Sequence, residues 1–178
     1  MDEQKFENNT LENTYENKNF ITRTYFKWKI NKAIKLAKLR RADIILDYGC
    51  GGGWLEKTLK NYKIYGYDIN PKKTFIKDYK TIKPDKIFLL DVLEHISLSD
   101  IQEILDNFKG LNEHFRLVVS IPTENFISRK MRKFVGKTEI PKEHITKYRE
   151  ILNILKRNFK LKKKINFFTV THIFLFEK

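Results

Sequence analysis

The sequence predicts an α/β fold: a doubly wound, mostly parallel sheet that closes with an antiparallel hairpin. Three observations carry this. Ile44-Ile45-Leu46 runs into four glycines within five positions, and Trp54, Leu55, Thr58 and Leu59 then recur at helical spacing. That is a strand buried on both faces, a glycine turn and a helix. Two more short apolar runs, residues 86–90 and 115–122, alternate with helical patterns, the signature of a parallel sheet with helical crossovers. Finally, residues 159–167 and 169–176 read as a hairpin, with Lys alternating with apolar residues early on.

A chain of 178 residues suits one domain, and one of this size buries about 70% of its unfolded surface. The apolar fraction of 41%, with 14 Phe, is ample for a core. No apolar run of about 18 residues exists, so no transmembrane span is expected. Residues 1–20 hold five acids and two lysines; they read as a polar lead-in, unlike a secretory signal, to a single domain over 21–178. The one cysteine excludes an internal disulfide and fits a reducing, cytoplasmic setting. Net charge is +14, with 14 Lys and Arg against four Glu in residues 124–164. Such a face suits phosphates, nucleic acid or an anionic membrane; a composition rich in Lys throughout explains it equally well.

From Ile21 the pattern becomes helical. Tyr25, Trp28, Ala33, Ile34, Leu36, Ala37 and Leu39 form one apolar stripe on a helix ending near Arg41. The glycine turn follows. A dinucleotide fingerprint places its third glycine five positions after the first, where this chain has Trp54. Asp47 also stands where that fingerprint is apolar. Cys50 sits inside the turn, where a small side chain is wanted.

Asp47-Tyr48-Gly49-Cys50-Gly51-Gly52-Gly53 resembles the D-x-G-C-G-x-G motif of class I S-adenosylmethionine-dependent methyltransferases, with their Rossmann-like sheet. The resemblance implies that Gly49, Cys50, Gly51 and Gly53 cradle the methionine half of the cofactor and that Asp47 faces its ammonium. It also makes the helix before the motif a lid, where Lys29, or neighbouring Lys27, would clamp the methionine carboxylate. Two solvated lysines are the plainer explanation for either one alone.

Residues 63–68 read as the second strand, ending in Asp68, 19 positions past Gly49. Nucleotide-binding α/β units place an acid at about that spacing to accept both ribose hydroxyls, and the resemblance gives Asp68 this role and lays Ile69 against adenine. Next comes a departure. Pro71 is expected to start a short helix to about Lys80, and the strand at 86–90 follows at once. The family's third strand and helix have no room, so that sheet edge is abbreviated. Asp78 and Asp85 are the only acids there to meet the adenine amino group, and neither is favoured.

Asp91-Val92-Leu93-Glu94-His95 resembles the D-V-L-E-H segment of a branch that includes ubiquinone-type O-methyltransferases. It implies a cofactor contact through the Leu90 backbone and turns Asp91 toward the cleft. Glu94, His95 and the later His144 become the catalytic candidates, the histidines as general bases. Some relatives hold a divalent ion with such residues, so Asp91, Glu94, His95 and His144 make an alternative Mg or Mn site; the expectation is a metal-free turn, capped by Glu94 and His95.

Ser99-Asp100-Ile101-Gln102 reads as a capping box opening a helix that ends at Gly110. Residues 125–143 interleave Phe126, Ile127, Met131, Phe134 and Val135 with cations, and are expected to form a helix at the edge of the substrate cleft. His144 to Glu150 resembles the branch's H…R-E element before the last helix. His172, in an apolar strand, reads as structural. The expectation is methyl transfer to an O or N acceptor, a small-molecule or lipid-linked substrate. A catalytically degenerate cofactor-binding module or partner subunit is the alternative, and an RNA methyltransferase a further one. The sequence carries no signal for oligomeric state.

Overall fold

A computed structural model describes residues 20–123, 145–168 and 170–178. Six strands form one sheet in the order β2-β1-β3-β4-β6-β5: β1 (Ile44–Tyr48), β2 (Lys63–Tyr67), β3 (Lys86–Leu90), β4 (Arg116–Pro122), β5 (Lys160–Phe167) and β6 (Thr171–Glu177). The pairs β1–β2, β1–β3 and β3–β4 are parallel, and β6 runs antiparallel to both β4 and β5. This is the expected doubly wound sheet with its antiparallel end.

Alternation along the strands splits the core into two layers. Leu46, Ile87, Leu89, Leu117 and Val119 face one side, where α3 (Leu98–Leu111) and α4 (Tyr148–Asn158) supply Ile101, Leu105, Phe108, Ile151 and Leu155. Ile45, Phe88 and Val118 face the other, under α1 (Phe20–Ala37) and α2 (Trp54–Thr58), which supply Ile30, Ala33, Leu36 and Leu55. A parallel sheet covered on both faces needs continuous apolar strands, and β3 and β4 provide them.

The chain leaves β1 for β2 on one side and returns to β3 on the other. The crevice at such a reversal is where doubly wound sheets hold ligands. The glycine turn after β1 and the Asp91 turn after β3 are its two walls.

Among the described residues no further strand pairs beyond β2, and the sheet edge is abbreviated as expected. The helix expected from Pro71 to Lys80 is corrected. The Asn70 carbonyl accepts from Lys73 and Thr74 at 2.9 and 3.2 Å, one turn only. Phe75 N–H then donates to the Gly66 carbonyl at 3.0 Å and draws the chain back onto β2. A single 3-10 turn, Tyr79–Thr81, follows. The buried Tyr79 ring sits 5.0 Å from Tyr48, 4.8 Å from Tyr67 and 6.0 Å from Phe108. An aromatic plug thus fills the space of the missing strand and helix.

The cap of α3 also moves. Ser97, not Ser99, accepts from Asp100 N–H, at 3.2 Å. Gln102 instead reaches Asp106 and Asn158 of α4, at 2.9 and 3.1 Å. Residues 1–19, the cleft-edge helix expected over 125–143, and His144 lie outside the described residues.

Candidate active site

The glycine turn is shaped by backbone conformation. Gly49, Gly51 and Gly53 have φ of 84°, 50° and 68°, a region that favours glycine. At Gly49 a Cβ would stand 2.4 Å from a Val92 methyl, whereas at Gly51 it would meet nothing within 4 Å. The first glycine therefore lets the two walls of the crevice touch, and the second leaves open space above the turn. Gly49 and Cys50 N–H both donate to the Tyr67 carbonyl, at 2.7 and 3.1 Å, which ties the turn to the end of β2.

Asp68 follows immediately. Its carboxylate accepts from Gly51 N–H and Asn70 N–H, both at 2.9 Å, and so stands at the lip of the turn with lone pairs to spare. Ile69 beside it is 92% exposed, an apolar side chain offered to the crevice. Leu90 is half-buried at the end of β3.

Cys50 is buried, and burial first, then the charges of Asp47, Glu56 and Asp68, push its thiol far up. Its Sγ donates to the Lys73 carbonyl at 3.6 Å. A protonated, enclosed thiol fits a structural place in the turn, not a nucleophile.

The third wall comes from α1. Tyr25 hydroxyl pairs with Thr171 Oγ1 of β6 at 2.9 Å, fixing the helix across the sheet. Lys29, 1% exposed, forms an ion pair with Asp91. Asp91 has φ 58°, and its other oxygen accepts from Ser120 Oγ at 2.6 Å. Lys29 thus meets Asp91 rather than standing in solvent.

Glu94 and His95 lie in a 3-10 turn, Leu93–His95. Glu94 is buried, and its carbonyl accepts from Ile145 and Thr146 N–H at 2.8 and 3.3 Å. Thr146 Oγ1 adds a bond to the Ile96 carbonyl at 2.5 Å. The strand of chain entering α4 is therefore stapled onto the turn that carries Glu94 and His95. His172 accepts or donates at Nδ1 with Tyr148 hydroxyl, 2.7 Å apart, and burial lowers its pKa, as a structural histidine requires. Among the described residues no three His, Cys, Asp or Glu side chains gather to hold a metal. The Lys29 ammonium already neutralises Asp91, which leaves that carboxylate no net charge to offer a divalent ion.

Two participants escaped sequence reasoning. Ser120 is the one polar residue in the apolar run of β4, a signal that was there to read. Glu56, in the first turn of α2, gives no such sign. Both its carboxyl oxygens are buried without a donor among the described residues, and one lies where a Cβ on Gly66 would be 2.2 Å away. Gly66 pairs in register with Asp47. Burial, then the Glu56 charge and Asp68, hold the Asp47 carboxyl well above its usual range, and burial raises Glu56. One proton shared between the two satisfies both. Because the folded-state values are raised, the pair's contribution to stability is full below the unfolded value and is lost as pH rises through the folded one. Glu56→Gln is expected to raise the melting temperature near neutral pH by about 3 °C, for about 1 kcal/mol of relieved repulsion. It should also flatten the decline in thermal stability as pH rises above the ordinary carboxylate range.

Together these features define a doubly wound α/β protein with a ligand crevice at the carboxyl ends of β1, β2 and β3. The chain matches the family described as a methyltransferase domain over residues 5–161. It belongs to that family, as a class I S-adenosylmethionine-dependent methyltransferase domain. No curated protein sequence matches it. Among solved structures it is similar to magnesium protoporphyrin IX methyltransferase (ChlM) from Synechocystis PCC 6803 with bound SAH. That match has a TM-score of 0.65 at 20% identity, covering 90% of this chain and 88% of that one. It is similar also to the PH0226 protein from Pyrococcus horikoshii OT3, with TM-score 0.70, 11% identity and coverage of 92% and 94%. The N-methyltransferase NodS from Bradyrhizobium japonicum WM9 gives 0.60, 12%, and coverage of 87% and 97%. At these identities the likeness is one of fold.

Proposed function

We propose that this domain transfers a methyl group from S-adenosylmethionine to an oxygen or nitrogen of a small-molecule or lipid-linked acceptor. The observation that carries the reading is the glycine turn at the sheet's reversal point, open above Gly51 with the Asp68 carboxylate at its lip. Asp68 accepts the ribose hydroxyls, Ile69 lies along the adenine, and the Leu90 backbone lines the middle. Gly49, Cys50, Gly51 and Gly53 admit the methionine half, with Asp47 beneath.

Lys29 and Asp91 suit the far end. An amino-acid terminus is a zwitterion, and this buried ion pair presents the complementary charges: ammonium toward Asp91, carboxylate toward Lys29. The bound cofactor supplies a methyl on a sulfonium that is its own leaving group. The chain's task is then to position the acceptor and exclude water. His95 takes the acceptor's proton, with Glu94 orienting the site, and His144 is the other candidate base.

The abbreviated edge beyond β2 favours a second reading, a cofactor-binding module without transfer. Calorimetric titration with S-adenosylmethionine, then incubation of cell extract with methyl-labelled cofactor, separates them. Binding with a labelled product supports transfer; binding without one supports the module. Absence of binding overturns both.

A further inference from the structure

The amino end of the parallel strands, opposite the glycine turn, carries a second concavity. A cleft of about 410 Å³ opens at the starts of β3 and β4, lined among others by Lys86, Arg116, Lys178 and Arg40. A hollow of about 220 Å³ continues it, sharing Lys38, Arg116 and Glu177 and adding Lys35, Lys162 and Lys163. Arg40 and the buried Lys86 already pair with Asp43 behind the surface, at 2.9 and 3.2 Å, and the combined groove is bordered by eight Lys and Arg and two acids, Asp85 and Glu177.

Both acids are engaged. Glu177 accepts from Lys162 at 3.1 Å and Arg116 at 3.0 Å, which hold its carboxyl below the usual range. Asp85 accepts from Ile44 N–H at 2.8 Å. The exposed Lys35, Lys38 and Lys163 enter no ion pair among the described residues. The backbone adds a second sign of construction. Adjacent strand residues point to opposite faces, yet Lys162 and Lys163 both line the hollow. The β5–β6 register shifts between Leu161 and Lys163, and a bulge re-aims side chains in this way. A lysine-rich composition scatters cations over a surface; it does not draw them from α1, β3, β4, β5 and the C-terminus into one hollow with its acids neutralised.

We propose that this groove docks the phosphate backbone of nucleic acid. None of the large exposed apolar side chains, Trp28, Ile69, Phe75, Leu98, Ile145 or Phe168, lines it. The rings in its lining are the exposed His114 and the buried Phe115, which make no platform for successive bases, so recognition is of phosphates rather than sequence. Nothing is offered for insertion into a bilayer either, and a concave surface meets a flat one poorly. The site is independent of the methyl-transfer reading.

Fluorescence anisotropy of the full chain with a fluorescein-labelled single-stranded RNA of about 20 nucleotides, and the matching DNA, tests this. Affinity should fall with salt with a log–log slope of about −2, for about three phosphates neutralised on a single strand. Lys35→Gln/Lys38→Gln/Lys163→Gln should weaken binding at least about tenfold at low salt and remove most of that slope, with the melting temperature unchanged. Removing the same charge elsewhere, by Lys147→Gln/Lys156→Gln/Arg157→Gln, should leave the affinity within about twofold. Equal binding of RNA and DNA identifies the backbone, and an RNA preference identifies the ribose beside it. The proposal is overturned if the parent protein binds neither, if the groove variant binds like the parent, or if the control variant loses as much. Capture by phosphatidylserine-containing vesicles that displaces the RNA equally overturns it in favour of a membrane.

Discussion

Replacing Lys29 with Met is expected to lower the melting temperature by roughly 10 °C, the largest stability effect of any single exchange in the site. Lys29 is buried, and its ion pair with Asp91 holds one of that residue's two carboxylate oxygens. Removing one member of a buried pair leaves an uncompensated charge and costs about 3–5 kcal/mol. For a chain of this size each kcal/mol shifts the midpoint by about 2–4 °C. The backbone sharpens the expectation. Asp91 is held at positive φ, a strain of about 1–2 kcal/mol for a non-glycine residue. What holds it there is its own side chain, bonded by Lys29 on one oxygen and Ser120 on the other. The double exchange Lys29→Met/Asp91→Asn should recover much of the loss, because the orphan charge is gone and Asn tolerates this conformation. Thermal melts of the two variants decide it. If the single exchange melts like the parent, the pair does not fix the turn after β3.

The architecture was legible because it rests on patterns the chain cannot disguise. Residues 87–90 are apolar throughout and 117–121 are apolar but for Ser120, and only a strand covered on both faces asks for that. The glycines and Asp68 were legible for a different reason: each is a residue type required at a fixed spacing by backbone geometry. What resisted was long-range. Nothing local in Trp54-Leu55-Glu56 says that the glutamate folds under Gly66 beside Asp47, since an acid in a first helical turn is ordinary. Nothing near Tyr79 says that it will meet Tyr48, Tyr67 and Phe108 and plug the edge left by an absent strand. The helix expected after Pro71 fails for the same reason, because a hydrogen bond from Phe75 to β2 outweighs local propensity. Lys29 was singled out as a cation facing the cofactor, but its pairing with Asp91 belongs to two segments 62 residues apart and needed the fold.

Asp68→Ala is expected to weaken binding of S-adenosylhomocysteine about 100-fold by calorimetry, with little change in melting temperature. The carboxylate is already fixed by Gly51 and Asn70 N–H, so its remaining lone pairs are preoriented toward the space over the turn. Two ribose hydroxyls donating there make charge-assisted bonds of about 1.5–3 kcal/mol each, and part of that is regained when water replaces them. Both N–H groups stand at a partly solvated turn, so water satisfies them in the variant and the fold loses little. Asp68→Asn keeps one acceptor oxygen and should lose only about tenfold. The graded order of Asp, Asn and Ala matters more than any one value, because it distinguishes a ribose contact from a turn that merely collapses. If all three bind alike, the ribose is held elsewhere. Affinity would then have to come from the Lys29–Asp91 end, and the Lys29 variant would be the one to abolish it.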